Sequence, residues 1–368
     1  MRQMKLFLGP QHPGMHGNAS VHIYAEGDII TKAYLLPGML HRGFEKSMER
    51  HSWVNNIGLI PRVCVVEPDI NEMAFAQGTE MMSGIVVPER AKYIRMIILE
   101  LARLSIHLMA YGGLGSPTGL YTLMYHAHED RNRILNIFEK ITGHRVYHMY
   151  IVPGGVRKDL PVGIEKDIHA FLDDLERRYD EYRDLGIENP TVLKRIKNTI
   201  ELPAEVVWEL GVTGIGMRSA VNKPYDLRKV RPYANYDKVE FEVPHYGYSD
   251  AHARVDCKLQ EVVQSIGIIR QCIAQMEPGP VRTRLSDGQA MRWTVPKGQV
   301  YSVVESSRGE FGYYMVSTGG TNPYRVGVRG ASYPQGLLGI EKYLPGTRID
   351  DAALWVDTMG VCSPEIDR

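Results

Sequence analysis

The stretch PERAKYIRMIILELARL, residues 88–104, decides the fold class of this chain. A proline followed at once by an acid is typical of the first turn of a helix. The apolar positions recur at spacings of three and four residues: Ile94, Ile97, Ile98, Leu101 and Leu104. That period predicts a helix with one buried face, the central element of a helical core.

Helical and strand-like patterns on either side of this stretch define the architecture. Further helices are predicted over residues 126–142, 162–185, 204–210 and 260–276. Residues 4–35 alternate apolar and polar in short runs, which predicts a hairpin or small antiparallel sheet, and residues 299–328 return to that alternation. The expected fold is α+β and mainly α, a central helical bundle flanked by β-rich N- and C-terminal parts.

The same patterns divide the chain into three regions that form one compact unit. Residues 1–60 are a β-rich region, residues 61–280 a helical core, and residues 281–368 a second β-rich region with a tail. A chain of 368 residues, 44% of them hydrophobic, can bury a substantial core.

Charge and hydropathy exclude some classes of function. Lys+Arg and Asp+Glu both number 43, so the basic surplus that a nucleic-acid binder needs is missing. Ile97-Ile98-Leu99 is soon interrupted by Glu100 and Arg103, so no apolar run is expected to reach the roughly 20 residues that cross a bilayer. The first residues, Met1–Lys5, do not resemble a signal segment. Membrane association is therefore expected through partner subunits.

The four cysteines, at positions 64, 257, 272 and 362, form neither a CxxC motif nor a disulfide framework. We expect them to be reduced and mostly buried, as is typical of a cytoplasmic protein.

The loop GPQHPGMHG, residues 9–17, combines two prolines that fix the backbone with two histidines four residues apart. Such a loop can present an imidazole to a ligand, or it can be a turn whose histidines hydrogen-bond locally. Metal binding by His12 and His16 is disfavoured because no third ligand is evident.

Seven further motifs follow this loop in order. They are LHRGFEK at 40–46, VPERA at 87–91, PGGVRKDLP at 153–161, RS at 218–219 with YDLRK at 225–229, EPGPV at 277–281, SSRGEFGY at 306–313 and EIDR at 365–368. Together they resemble the 49-kDa-type family of complex I, the D-type subunits, which is related to the large subunit of nickel-iron hydrogenases. The resemblance covers essentially the whole chain and implies the hydrogenase large-subunit-like fold.

The resemblance also implies an activity and partners. In that family the protein packs against a small iron–sulfur subunit, and a membrane-soluble quinone is reduced between them by a 4Fe-4S cluster that the partner holds. This chain would bind no cofactor itself. It would lie on the cytoplasmic face of the cell membrane, with other peripheral-arm and membrane-arm subunits of a proton-translocating assembly. NADH, F420H2 or ferredoxin would be oxidised by other subunits, where any NAD binding would occur.

Individual residues take expected roles from the resemblance. His16 matches the family's quinone-headgroup histidine and is the expected catalytic residue, with His12 in the same loop. Arg42 matches an arginine near the terminal cluster. Tyr147 stands where the family has a histidine beside that cluster, and His148 follows it.

Two departures affect the acceptor site. The family's tyrosine falls on Val65, with Cys64 before it, and valine cannot hydrogen-bond a quinone carbonyl. The acid that pairs with the histidine in many members falls on Pro117, beside Thr118. The acceptor-binding positions are therefore expected at His12, His16, Val65, Pro117 and Thr118.

The hydrogenase relatives hold nickel and iron with two CxxC pairs, because such a centre needs soft thiolates. Here Glu67 and Met359 stand at positions where a thiolate would be needed, and one cysteine of each pair remains, Cys64 and Cys362. We expect no metal. The two cysteines either meet in space, where they could bind a metal or take part in sulfur chemistry, or are inert buried remnants.

Three functions remain open. The first is an electron-transfer subunit that delivers electrons to a quinone, or to methanophenazine as in an archaeal F420H2 dehydrogenase. The second is a subunit of a membrane-bound sulfane-sulfur reductase, and the third a non-catalytic scaffold that shapes the cavity.

Overall fold

A computed structural model describes residues 3–12, 19–285 and 292–368. Within these ranges the strands are β1 (Met4–Leu8), β2 (Ser20–Glu26), β3 (Ile29–Leu36), β4 (Ile151–Val152), β5 (Gly155–Val156), β6 (Gly298–Ser306), β7 (Gly309–Ser317) and β8 (Arg325–Arg329). They form three antiparallel sheets, ordered β1-β2-β3, β4-β5 and β6-β7-β8.

The helices in the same ranges are α1 (Phe44–Arg50), α2 (Trp53–Asn56), α3 (Pro68–Ser83), α4 (Glu89–Gly113), α5 (Gly115–Thr118), α6 (Thr122–Thr142), α7 (Ile164–Arg177), α8 (Tyr179–Tyr182), α9 (Pro190–Ile196), α10 (Ala204–Leu210), α11 (Ile215–Val221), α12 (Leu227–Val230), α13 (Ala251–Gln275), α14 (Gly339–Tyr343), α15 (Asp351–Met359) and α16 (Ser363–Asp367). Short 3₁₀ turns cover Ile60–Arg62 and Tyr236–Lys238, and π turns cover Arg183–Ile187 and Pro334–Leu338. The predicted α+β, mainly α fold is confirmed.

Helix α4 is the central element and begins at Glu89, where the proline and first-turn acid predicted it. It packs between α6 and α13. By length and composition, residues 89–118 could cross a membrane, so the expectation that no segment approaches this length is wrong for the described part of the chain. The most apolar window is 89% buried inside the protein, as in a core helix. Glu100 and Arg103 do not interrupt this helix because they are paired with each other inside the core, 3.4 Å apart.

The N-terminal sheet follows the predicted alternation. Val21, Ile23 and Ala25 of β2 face the core and are fully buried, as a strand with one buried face requires. The second large sheet packs on α3 at a close approach. A Cβ on Gly78 of α3 would lie only 2.2 Å from Cε of Met315 in β7, so glycine permits this packing.

Two predicted helices differ from the observed ones in their bounds. Helix α13 begins at Ala251, nine residues before the predicted start, and the carboxylate of Asp250 accepts a hydrogen bond from the backbone N–H of Ala253. Its first turns bury Arg254 and Lys258, which hid the apolar period. The stretch 162–185 is not one helix but α7, α8 and a following π turn.

The C-terminal region 281–368, which we expected to be β-rich with a tail, contains the β6-β7-β8 sheet and then three helices, α14 to α16. The last of them folds back on the N-terminal region. Asp367 accepts hydrogen bonds from the backbone N–H groups of Gly38 and Leu40, each at 2.7 Å. This contact brings the end of the chain to the wall of the candidate site.

Candidate functional site

A cavity of about 310 Å³ lies between three parts of the chain that are distant in sequence. The segment before α3 contributes Val65 and Val66, and the middle of α4 contributes Ile106, Met109 and Ala110. The third wall is the end of α15 with the turn into α16, and Leu40, Arg42 and Arg308 complete the lining. The side chains on the first two walls are apolar, which is typical of a pocket for an organic ligand.

The turn between α15 and α16 depends on Gly360. This residue ends α15 in the left-handed region, with φ of 72°. A Cβ there would lie 3.1 Å from Cγ of Arg308. Glycine therefore lets the backbone pass close to the arginine and places Cys362 against the cavity.

Cys64 and Cys362 meet at one end of the cavity. Their sulfur atoms are 3.4 Å apart, although the residues are 298 positions apart in sequence. The hypothesis that the two residual cysteines meet in space is confirmed. All four cysteines are free and buried, as expected. Cys362 lines the cavity, whereas Cys64 lies behind it and is fully buried.

The guanidinium of Arg308 lies between these cysteines and two buried carboxylates. Its Nη2 donates hydrogen bonds to Sγ of Cys64 at 3.0 Å and to Oε2 of Glu67 at 2.9 Å. Oε2 of Glu365 is 2.8 Å from the same nitrogen. This third contact is an ion pair without hydrogen-bond geometry, because both hydrogens of Nη2 are already donated.

Backbone donors hold both carboxylates in place. Oε1 of Glu67 accepts from the N–H of Ser307 at 2.7 Å, and Oε1 of Glu365 accepts from the N–H of Ser332 at 2.7 Å. Each glutamate thus directs one oxygen to the backbone and the other to Arg308. The cluster is a buried ionic group in which one guanidinium is shared by two carboxylates.

This arrangement does not fit a nickel-iron centre. Donor atoms of Cys64, Cys362 and Glu365 lie within 4.8 Å of one another, close enough to share a metal ion. The Arg308 cation, however, contacts both Cys64 and Glu365, so a metal cation placed between those donors would be repelled. Met359 does not supply a ligand either, since its Cε lies near Gly216.

The two thiols have different acidities. The hydrogen bond with Cys64 and the nearby Arg308 charge lower the pKa of Cys362, while burial raises the pKa of Cys64 well above its usual range.

The predicted acceptor residues are only partly brought together. Val65 lines the cavity, and His16 lies outside the described residues. The backbone N–H of His12 donates to the carbonyl of Gly9 at 3.0 Å, and its exposed side chain is not among the cavity-lining residues. Pro117 and Thr118 lie in α5, beyond the cavity-lining part of α4, and do not line it.

The residues expected near a partner's cluster lie on the adjoining surface and just beneath it. Arg42 is exposed at the cavity, and its Nη2 donates to the carbonyl of Arg62 at 2.7 Å. The guanidinium of Arg62 lies 5.1 Å from the ring centre of Tyr147. Arginine and tyrosine thus form one continuous edge beside the cavity.

His148 is buried behind this edge. Its Nδ1 lies 2.8 Å from Oδ1 of Asp69, and its ring stacks on Phe138 with centroids 4.1 Å apart. Although burial opposes protonation, the charge of Asp69 raises the pKa of His148. Glu72 lies one turn after Asp69 on α3, and its carboxylate accepts three hydrogen bonds from backbone N–H groups at 2.6–2.8 Å. These bonds favour the charged form, but burial outweighs them and raises the pKa of Glu72 to about 8.

Sequence reasoning missed Arg308 and Glu365 as site residues. Both stood within motifs that carried the family resemblance, SSRGEFGY and EIDR, but nothing in the sequence assigned them a role. An arginine can replace a metal cation among acidic ligands because it is also positively charged and donates hydrogen bonds to them. The loss of two thiolates was therefore the signal in the sequence that could have directed attention to a nearby arginine.

A buried ionic network leads away from the cavity and was also not predicted. It joins α4, α11, α12, α13 and β6 through Glu100, Arg103, His107, Arg218, Asp226, Arg228, Lys258, Glu261 and Glu305. At the end near the cavity, Nζ of Lys258 donates to the carbonyl of Asp357 at 2.9 Å. Burial lowers the pKa of Lys258 to about 7, so this lysine exchanges its proton near neutral pH.

Comparisons with known proteins agree with the fold and with the family resemblance. Residues 117–292 and 286–368 match the family model described as the respiratory-chain NADH dehydrogenase 49 Kd subunit. The D-type subunit of NADH-quinone oxidoreductase from Thermosipho melanesiensis is 58% identical over 368 residues and all of both chains. The corresponding protein of Thermus thermophilus is 35% identical over 99% of this chain and 94% of its own.

A solved structure is also similar. It is a chain of the membrane-bound sulfane sulfur reductase, an archaeal respiratory membrane complex, with a TM-score of 0.95 and 37% identity over 100% of this chain and 98% of that one. The family match and the full-length relatives together assign the chain: it belongs to the family of the 49-kDa subunit of the respiratory-chain NADH dehydrogenase, and it is a subunit of an oxidoreductase complex.

Proposed function

We propose that this chain forms the acceptor site of a complex I-like, proton-pumping oxidoreductase in which a membrane-soluble quinone or methanophenazine-like carrier is reduced. The observation that supports this most directly is the cavity between Val65, the middle of α4 and the α15–α16 turn. Its apolar side walls suit the flat, uncharged ring system of such a carrier. The relatives that are components of NADH-quinone oxidoreductases support the same reaction class.

The proposal assigns the electron supply to a partner. A small iron–sulfur subunit, whose 4Fe-4S cluster would reduce the acceptor, would dock at the edge formed by Arg42, Arg62 and Tyr147. Arg42 is exposed at the cavity, and the half-buried Arg62 and Tyr147 continue from it through the contacts described above. Other peripheral-arm and membrane-arm subunits would hold the assembly on the cytoplasmic face of the membrane and would choose the donor, whether NADH, F420H2 or ferredoxin.

This chain would bind and orient the acceptor and supply protons. Val65 offers no hydrogen bond to a carbonyl, so polar recognition would fall to Arg42 and Arg308 at the cavity and to His16 from the N-terminal loop. An acceptor without quinone carbonyls, such as a phenazine, would lose least from the missing tyrosine. Lys258 donates to the carbonyl of the cavity-lining Asp357 and would serve as a proton reservoir, with water carrying the proton because a backbone carbonyl cannot relay it.

Reduction of sulfane sulfur is the second candidate. The observation in its favour is the pair of thiols at the end of the cavity, 3.4 Å apart. The similar solved chain comes from a membrane-bound sulfane sulfur reductase.

An Ala110→Trp substitution in the assembled complex tests whether the cavity holds the acceptor. Ala110 is half-buried on α4 and lines the cavity, so an indole there would occupy the proposed binding volume. The assay measures the rate of reduction of three acceptors separately: a short-chain quinone, a phenazine and polysulfide. We expect the rate to fall about tenfold or more for whichever acceptor binds in the cavity. Electron transfer from the donor to a soluble dye should be unchanged.

The matched control is Val162→Trp, which places the same ring on a fully exposed position. If Ala110→Trp reduces every acceptor as fast as the parent complex, the cavity is not the acceptor site and the scaffold function takes its place. A loss confined to polysulfide would select the second candidate over the first.

A further inference from the structure

We propose that Cys64 and Cys362 form a redox-active dithiol that exchanges with the sulfur–sulfur bond of a small disulfide or polysulfide in the cavity. The inference goes beyond the reduction of a membrane carrier and deepens the second candidate function, because it names the residues that would react with a sulfur substrate. It rests on three observations: the separation of the sulfurs, the position of Cys362 on the cavity wall, and the positive charge of Arg308 at the cavity.

The distance between the sulfurs suits reversible closure. They are 3.4 Å apart, and a disulfide bond needs about 2.05 Å. The difference is of the size that small rotations of two side chains can cover, without moving either backbone far. Residues that approach this closely from 298 positions apart are held by the fold itself.

The cavity determines which sulfur attacks. Cys362 lines the cavity and keeps 6% of its surface exposed, whereas Cys64 keeps none. A ligand in the cavity can therefore reach Cys362 but not Cys64. Cys362 is the attacking thiolate, and Cys64 is the resolving thiol behind it.

Arg308 supplies the charge that the exchange needs. Its Nη2 already contacts Cys64, so negative charge on that sulfur is stabilised during resolution. Its Nε and Nη1 are buried and have no hydrogen-bond acceptor among the described residues. Since Arg308 lines the cavity, its positive charge can stabilise the sulfur anion that leaves the substrate.

The exchange transfers two electrons from the dithiol to the sulfur–sulfur bond of one substrate molecule. For a substrate R–S–S–R′, the Cys362 thiolate bonds to one substrate sulfur, the substrate bond breaks, and RS⁻ leaves. The Cys64 sulfur then bonds to the Cys362 sulfur and releases R′S⁻. The two thiol protons end on the two released groups, so R–S–S–R′ becomes RSH and R′SH while the dithiol becomes a disulfide. A reduced iron–sulfur cluster of a partner protein would return two electrons, one at a time, and solvent two protons.

The other two cysteines provide internal controls. Cys257 and Cys272 both lie on α13, are buried and free, and do not line this cavity. Burial raises the pKa of Cys257 to about 12, which disfavours its thiolate. They should not react with a sulfur substrate that enters the cavity.

The test uses the assembled complex, reduced and kept free of oxygen, with inorganic tetrasulfide and with bis(2-hydroxyethyl) disulfide as probes. After a short exposure, free thiols are alkylated and the chain is digested with trypsin. We expect a disulfide between the peptides covering 63–90 and 349–368, which carry Cys64 and Cys362. Cys257 and Cys272 should be recovered alkylated once the chain is unfolded.

Two variants distinguish the roles of the sulfurs. In Cys64→Ser, a mixed disulfide should accumulate on Cys362, because the resolving thiol is gone. In Cys362→Ser, release of the first thiol from the probe should slow about tenfold or more, since the attacking group is lost. A Cys272→Ser control should behave as the parent complex.

The inference is overturned if the parent complex shows no bond between Cys64 and Cys362, or if Cys257 or Cys272 reacts at the same rate. An unchanged rate in Cys362→Ser also overturns it. The peptide assay on the parent complex needs no variant, so a misfolded substitution does not leave the question open. Failure here would leave the Ala110→Trp result for the membrane carrier unaffected.

Discussion

Replacing Arg308 by methionine should destabilise the chain more than any exposed charge substitution. The side chain is buried and contacts Cys64, Glu67 and Glu365. Methionine has comparable length but no charge, so the substitution leaves two buried glutamates without their cation. Breaking a buried ion pair in this way typically costs about 3–5 kcal/mol.

Proton uptake by the stranded carboxylates limits the same loss of stability. A stranded carboxylate can escape its charge by binding a proton, and for a glutamate of ordinary pKa, about 4.3, this costs about 3.7 kcal/mol at pH 7. At pH 5 the same protonation costs only about 1 kcal/mol. The difference in unfolding free energy between the parent chain and Arg308→Met should therefore shrink by roughly 2–3 kcal/mol between pH 7 and pH 5 for each glutamate that binds a proton.

Urea unfolding of the full chain, followed by tryptophan fluorescence at both pH values, measures this difference. Arg348→Met is the matched control, because Arg348 and Asp28 form an exposed pair 2.9 Å apart, and such pairs contribute about 0–1 kcal/mol. Adding Glu67→Gln to Arg308→Met should recover part of the stability. A loss below about 1 kcal/mol, or one that does not change with pH, would refute the idea that Arg308 neutralises this cluster.

Two further substitutions test neighbouring parts of the site. Gly214→Ala should destabilise the chain by about 2 kcal/mol or more in a thermal unfolding assay, because a Cβ there would lie 2.3 Å from the Arg308 carbonyl oxygen at a φ of 65°. The control is Gly143→Ala, where φ is 86° and no atom lies within 4 Å of the added Cβ. It should cost only about 1 kcal/mol in the same assay. Equal losses in the two variants would contradict the close approach. Burial lowers the pKa of Lys258 from its usual 10.5 to about 7, so the unfolded chain binds an additional proton between these values and Lys258 makes stability rise with pH across this window. Lys258→Met should remove that rise, and a pH profile identical to that of the parent chain would show that the lysine titrates normally.

The sequence by itself determined the local elements. Periodicity and capping residues within a few positions of one another were enough to predict several elements. They predicted the start of α4 at Glu89, the helix ending at Leu210 and the strands between residues 298 and 329. Such signals are local, because a helix turn involves residues three and four apart and a strand alternates every two. The helical start of α13 was missed where buried charges replaced the apolar period.

The candidate site was also only partly predictable from the sequence. Sequence resemblance alone identified Arg42, Val65 and the two residual cysteines as site positions, and it excluded a full set of nickel-iron thiolates. It could not show that Pro117 lies away from the cavity, since an ungapped alignment says nothing about direction in space.

Only the tertiary structure decided how the remnants of the metal site are used. Cys64, Arg308 and Cys362 come from three separate parts of the chain, and no pattern of neighbouring residues encodes their meeting. Packing of α4, β6 and the C-terminal helices determines it, and the low polarity of the resulting interior makes a cation between the carboxylates necessary. The sequence shows that two metal ligands are gone; the fold shows that an arginine stands among those that remain.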